Sequence, residues 1–253
     1  MSDSTTSSLP PVAVLGGGNL GRALAEGWLA AGILPPDRIR VTRRTVEKLA
    51  DLEARGVMVG SDNRAAVQAS DIVVLAVQPQ QMEELMAEVR PVLEPGRHRV
   101  ISVASGVPLA DLQRHAGDGI PVVRAMPNTA VSIGESMTCL SSVPGQEGFL
   151  DEVHVLFDAV GRTLHIPEEM MIPATALCAC GVAFFLRTIR AASQGGIEIG
   201  FHPEEALFLA AQTARGAAGL LGGDGSHPES EIDRVTTPRG CTIAGLNEME
   251  HFG

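Results

Sequence analysis

The chain has 253 residues, 45% apolar and 19% charged, which fits one large or two modest globular domains and excludes a disordered polymer. Its 19 basic and 30 acidic side chains leave a net charge of −11, which argues against nucleic acid or an anionic membrane as partner. Tyrosine is absent, so no Tyr–Lys proton-donor pair exists, and the single lysine, Lys48, sits in a polar helix turn unsuited to Schiff-base chemistry.

Residues 1–10 read as a flexible Ser/Thr-rich tail that lacks the basic and apolar regions of a signal peptide. A strand over 12–15 ends in glycines, and an amphipathic helix follows over 20–31. A strand is predicted over 39–42, a helix over 45–55 capped by Thr45, a short strand over 57–59 and a short helix over 63–69. Then come an apolar strand over 72–77, a helix over 81–90, and strands over 100–103 and 122–125. Continuous apolar strands alternating with helices predict a parallel sheet covered on both faces, a pattern that persists to about His165. Beyond Met170 strand signals stop, and Ala-rich helices are predicted over 174–195 and 203–221. The domain boundary is placed near Ile166-Pro167, giving an α/β domain over 11–166 and a helical one over 167–253. The apolar run over 170–186 is short for a membrane span and contains Pro173, so a buried helix is expected.

Gly16-Gly17-Gly18-Asn19-Leu20-Gly21 satisfies G-x-G-x-x-G between the first strand and the first helix. Gly16 permits the tight turn, Gly18 lets backbone approach a pyrophosphate, and Gly21 lets helix and strand pack closely. The helix start that includes Asn19 and Leu20 adds free N–H groups and the positive dipole end. The fold predicted is therefore a Rossmann-type dinucleotide-binding domain followed by an all-α domain for substrate binding and dimerisation. At the end of the second strand, an enzyme that uses NAD carries a carboxylate for the ribose hydroxyls. This chain has Thr42-Arg43-Arg44-Thr45 instead, and two guanidiniums suit a 2′-phosphate, so the cofactor predicted is NADP(H).

With these residues the chain resembles the pyrroline-5-carboxylate reductase family over nearly its whole length. The resemblance runs through the glycine loop, Val41-Thr42-Arg43-Arg44-Thr45, Ser61-Asp62-Asn63 and Leu75-Ala76-Val77-Gln78-Pro79. It continues through Arg124-Ala125-Met126-Pro127-Asn128-Thr129. The most specific stretch is Val235-Thr236-Thr237-Pro238-Arg239-Gly240-Cys241-Thr242-Ile243-Ala244-Gly245-Leu246. The resemblance implies cofactor contacts at Asn63, Ala76, Val77, Gln78, Pro79 and Asn128. It implies substrate contacts at Thr237, Gly240, Cys241, Thr242 and Cys180. It also implies hydride transfer from NADPH to the C=N carbon of 1-pyrroline-5-carboxylate, giving L-proline, with the Thr242 hydroxyl bonded to the ring nitrogen. Read without the resemblance, Thr242 is an ordinary helix N-cap.

Departures from the family pattern gather near the expected substrate pocket. Arg239 replaces a glycine and is read as pointing to solvent, and Cys178 and Cys180 replace two serines. Both cysteines are read as buried structural thiols without a nearby partner in sequence, and Met170-Met171 as core filler. The seven histidines form no metal-ligand spacing and are read as surface or loop residues; no metal site is predicted. The four cysteines form no paired framework, so a reducing cytoplasm is the expected compartment. Two other readings stay open: a related NADP-dependent imine or hydroxyacid reductase, and a non-catalytic NADP-binding regulatory protein. The second domain is thin, so its helices are expected to interlock with another copy, as a homodimer or an assembly of dimers.

Overall fold

The structure is a computed structural model that describes residues 9–222 and 227–252. The first eight residues of the expected tail, and Gly253, lie outside the described residues.

All four side chains of Val12–Leu15 (β1) are fully buried, because both faces of the strand are covered. Val12 and Val14 join one apolar cluster while Ala13 and Leu15 join the other, the period-two alternation of a strand between two helical layers. The chain continues through Asn19–Ala31 (α1), Ile39–Thr42 (β2), Ala50–Glu53 (α2), Met58–Gly60 (β3), Asn63–Gln68 (α3) and Ile72–Leu75 (β4). Met82–Val89 (α4), Arg99–Ser102 (β5), Leu109–Ala116 (α5) and Val122–Met126 (β6) follow. Ser136–Ser142 (β7), Glu147–Asp158 (α6) and Gly161–His165 (β8) complete the α/β layers.

The strand order is β3-β2-β1-β4-β5-β6-β7-β8. The chain leaves β1 toward β2 on one side and returns to β4 on the other, which opens a crevice beyond the ends of β1 and β4. Helices α1 and α6 cover one face through Leu24, Trp28, Phe149, Val153 and Phe157, and α3, α4 and α5 cover the other. Trp28 Nε1 donates to the Leu156 carbonyl at 2.8 Å, so the buried indole is satisfied.

The sheet is not wholly parallel as expected. β7 runs antiparallel to β6, with Met126 opposite Cys139, and β8 pairs parallel to β7. The helix expected over 45–55 is a 3₁₀ turn over Val46–Leu49 followed by α2, and the Thr45 side chain makes no capping bond. His98 is fully buried, not at the surface. Its Nδ1 accepts from the Glu94 N–H at 2.8 Å and its Nε2 lies 3.1 Å from the Val67 carbonyl, so the ring staples a turn to α3.

Past β8 the backbone is helical: Met171–Ala174 (α7), a π-turn over Thr175–Cys180, Gly181–Glu198 (α8), Pro203–Leu220 (α9), Pro228–Val235 (α10) and Cys241–Phe252 (α11). The compact units divide at Val182/Ala183, later than the change in composition near 166–167. The reason is that α7 and the π-turn pack on the sheet. Met171 is buried with Met126 and Cys139, and Arg124 Nη1 holds Glu168 Oε1 at 2.7 Å. Met170, by contrast, is half exposed, so only one of the paired methionines fills the core.

The run over 170–186 is not buried in the single chain. Ile172, Leu177, Phe184, Phe185 and Leu186 are all exposed, and the helical segment Glu168–Glu198 is long and apolar enough to cross a membrane by length and composition. Among the described residues from 183 on, only Ser193 and Ala206 are buried. α8 and α9 meet where Gly196 faces Ala206; a Cβ on Gly196 would lie 3.0 Å from that of Ala206.

Trp28→Phe removes the donor and strands the Leu156 carbonyl in the core. It is expected to cost about 1–3 kcal/mol of stability, read by urea unfolding followed by far-ultraviolet circular dichroism, since the chain's one tryptophan is lost.

Candidate functional site

The crevice at the ends of β1 and β4 is built on a carbonyl. Thr42 is the last residue of β2, and its C=O accepts from the N–H of Gly16 at 3.2 Å and of Gly17 at 2.7 Å. Arg43 Nη1 donates to the Gly17 carbonyl at 2.7 Å. The glycine loop and the arginine segment are thus one hydrogen-bonded unit. On the other side, the Ala76 N–H donates to the Leu15 carbonyl at 2.8 Å and brings the loop after β4 against the glycine turn.

Two glycines are demanded by space. Gly16 has φ +112°, and a Cβ there would lie 2.5 Å from the Ala76 carbonyl oxygen. A Cβ on Gly21 would overlap the Gly16 carbonyl oxygen and press on Val14. At Gly18 the space is open: no atom lies within 4 Å of where a Cβ would stand. Gly18 also caps α1 with no side-chain bond, and the first turn of α1 holds no acid. The helix therefore presents its first N–H groups and its positive end to an anion.

The resulting cleft holds about 640 Å³. Of the residues expected to bind cofactor, Gly16, Gly18, Thr42, Arg43, Arg44, Asn63, Ala76, Val77 and Gln78 line it together. Asn19, Leu20, Gly21 and Pro79 do not; they shape the loop or helix behind it. Asn128 does not line it either. Its Oδ1 accepts from the Ala130 N–H at 3.0 Å and its Nδ2 donates to the Cys178 carbonyl at 3.2 Å, so both ends of the amide are committed to backbone.

Four lining residues on or just before α4 escaped the sequence: Gln81, Glu84, Leu85 and Glu88. Glu88 accepts from Asn63 Nδ2 at 3.0 Å, while Thr42 Oγ1 donates to Asn63 Oδ1 at 2.6 Å, so Asn63 bridges β2 and α4. The i, i+4 spacing of the two glutamates was the only available signal, and it gives a shared face without saying what that face meets.

Arg22, in the first turn of α1, clamps the chain after β2. Its Nη1 donates to the Lys48 carbonyl at 2.5 Å and its Nη2 to Asp51 Oδ2 at 2.5 Å. The hydrogen bond from Arg22 holds the Asp51 carboxyl below the usual carboxylate range.

The second expected site lies in the helical unit. Gly240 donates its N–H to the Thr237 carbonyl at 3.0 Å, and a Cβ at Gly240 would collide with Thr237 Oγ1. Arg239 is exposed with φ +60°, the one non-glycine residue at positive φ among those described. It occupies the left-handed turn position that a glycine adopts without strain. α11 begins at Cys241, so Thr242 is not the N-cap; its Oγ1 donates instead to the Val235 carbonyl at 3.3 Å. Cys241 is exposed.

The two thiols expected to be buried are not. Cys178 is half-buried and Cys180 exposed. Nor is Cys178 without a partner, since its sulfur lies 3.9 Å from that of Cys139. Among the described residues no cluster of three or more metal-ligating side chains exists.

Residues 168–253 match the family described as pyrroline-5-carboxylate reductase dimerisation, and residues 11–106 match the family described as NADP oxidoreductase, coenzyme F420-dependent. A pyrroline-5-carboxylate reductase of Dictyostelium discoideum is 44% identical over 96% of this chain and 86% of its own. The chain belongs to the pyrroline-5-carboxylate reductase family. A second Dictyostelium discoideum member is 45% identical over 96% of this chain, which spans 46% of that longer protein. The solved structure of a member from Coxiella burnetii superposes with a TM-score of 0.87 at 30% identity, covering 96% of this chain and 91% of that one.

Gly21→Ala is expected to weaken dinucleotide binding about tenfold or more, because loop and helix must part to admit the methyl. Fluorescence titration of the reduced dinucleotide checks it.

Proposed function

We propose that the chain reduces 1-pyrroline-5-carboxylate to L-proline, with NADPH as donor. The observation that carries this reading is the pairing, in one chain, of an arginine-flanked dinucleotide cleft with the glycine turn that opens α11. The cleft fits NADP(H). The glycine turn and the start of α1 suit the pyrophosphate, Arg43 and Arg44 suit a 2′-phosphate, and no carboxylate stands at the end of β2 to repel one. When bound, the cofactor supplies the hydride.

The chain's own residues position and polarise the substrate. The first N–H groups of α11 have no intrahelical partner and suit a carboxylate. Thr242 holds its hydroxyl proton on the Val235 carbonyl, which leaves its oxygen lone pairs to accept from an iminium N–H. A protonated cyclic imine is already a strong electrophile, so positioning, not a strong general acid, is what the site has to provide. The lone lysine on the 3₁₀ turn after β2 counts against a hydroxyacid reductase that relies on a helical-domain lysine.

The exposed apolar helices from 183 on support self-association. Among the described residues this unit buries only two side chains by itself, while Phe184, Phe185, Leu207 and Phe208 face outward. Coverage by a second copy accounts for them without a membrane. The cytoplasm suits a chain of four free thiols.

Steady-state turnover of NADPH with 1-pyrroline-5-carboxylate tests the activity. Thr242→Ala is expected to lower kcat about a hundredfold, and Arg44→Ala to raise the KM for NADPH about tenfold with little effect on NADH. No turnover by the parent protein, with NADPH still bound, would favour the regulatory reading. Light scattering at micromolar concentration is expected to give at least a dimer, and a monomer would refute the interlocked helices.

A further inference from the structure

Cys139 and Cys178 stand 39 residues apart in sequence, yet their sulfurs are 3.9 Å apart. Cys139 is buried in the middle of β7; Cys178 is half-buried in the π-turn, at a position where the resembled motif carries serine. Cys178 is held in place from both sides. Upstream, Glu168 is tied to Arg124, Met171 is buried against Met126 and Cys139, and Thr175 Oγ1 donates to the Met171 carbonyl at 2.7 Å. At Cys178 itself, the carbonyl accepts from Asn128 Nδ2.

We propose that Cys139 and Cys178 form a dithiol site that closes to an intramolecular disulfide by exchange with a low-molecular-weight disulfide such as glutathione disulfide. Cys178 is the more exposed of the two residues. Its thiolate attacks one sulfur of the oxidant, the small S–S bond breaks, and one small thiolate leaves. The Cys139 thiolate then attacks the Cys178 sulfur and displaces the second small thiolate. The two leaving thiolates take up the two protons that the cysteines release. Two protein thiols are oxidised by two electrons, and one small disulfide is reduced to two thiols.

The order of attack follows from the surroundings. Burial, and then the neighbouring Cys178 sulfur, pushes the Cys139 thiol up to about 11. Cys139 therefore serves as the resolving thiol, and ring closure speeds up as the pH rises. Closure shortens the sulfur separation from 3.9 Å to about 2.0 Å. β7 is hydrogen-bonded on both sides, to β6 and β8, so the movement falls on the π-turn. That movement draws the Cys178 carbonyl away from Asn128 and loosens the segment that follows β6.

The test uses the full chain incubated with oxidised glutathione at mildly alkaline pH, alkylated and digested with trypsin. One peptide, residues 125–162, carries Cys139; another, residues 163–187, carries Cys178 and Cys180. The expected result is that these two peptides are linked, two hydrogens lighter than their sum, and separate on reduction. The link is expected to persist in Cys180→Ser and to vanish in Cys178→Ser. That variant changes the half-exposed partner, so it spares the buried strand. An unlinked parent, a link that survives Cys178→Ser, or glutathione held on single cysteines without ring closure would each overturn the proposal.

Discussion

The functional end of this molecule hangs on one backbone acceptor. The Thr42 carbonyl takes N–H groups from both Gly16 and Gly17, and so fuses two loops that the sequence separates by a whole helix. Everything in the cleft refers to that junction. The loop after β4 rests on the glycine turn, α1 starts from it, and the arginines leave β2 from its far side. Backbone bonds of this kind cost no side-chain entropy to form.

The two compact units are stabilised differently. The first buries near-continuous apolar strands between two helical layers, with a fully buried Trp28 and Phe157 at its centre. The second is built from Ala- and Gly-rich helices that approach closely, as Gly196 and Ala206 do, but enclose little. Small residues give tight contact and little buried area, so such helices gain too little from their own packing to offset the entropy of ordering them. Their large apolar side chains point outward, where another surface can cover them.

What was readable in the sequence follows from these differences. β1 and β4 were plain because a strand buried on both faces is an unbroken apolar run. The glycine loop was plain because its spacing is imposed by close contacts that admit no side chain. β7 was hidden, since Ser136, Thr138 and Ser141 break its apolar pattern although all three are buried. Ser136 is satisfied locally, with its Oγ accepting from the Asn128 N–H and lying 3.2 Å from Thr138 Oγ1. The outer strand β8 is mostly exposed and carries no apolar run. Glu84 and Glu88 carry no sign of the cleft in the sequence, because only the third dimension turns that face of α4 into it. His98 lies in a loop, as expected, but its burial was not legible: an imidazole between two backbone groups leaves no trace in spacing.

The junction at Thr42 also separates two jobs. The bonds that shape the glycine bed run from backbone to backbone, from Gly16 and Gly17 to the Thr42 carbonyl. In the proposed function the side chains of residues 43–45, which line the cleft, decide which group on the ribose is welcome. Arg43 adds a stitch to Gly17, but the turn stands without it. Recognition can therefore drift, residue by residue, while the bed beneath it keeps its form. On that proposed reading, a lineage or an engineer would exchange one dinucleotide for the other at these three positions and leave the backbone junction in place.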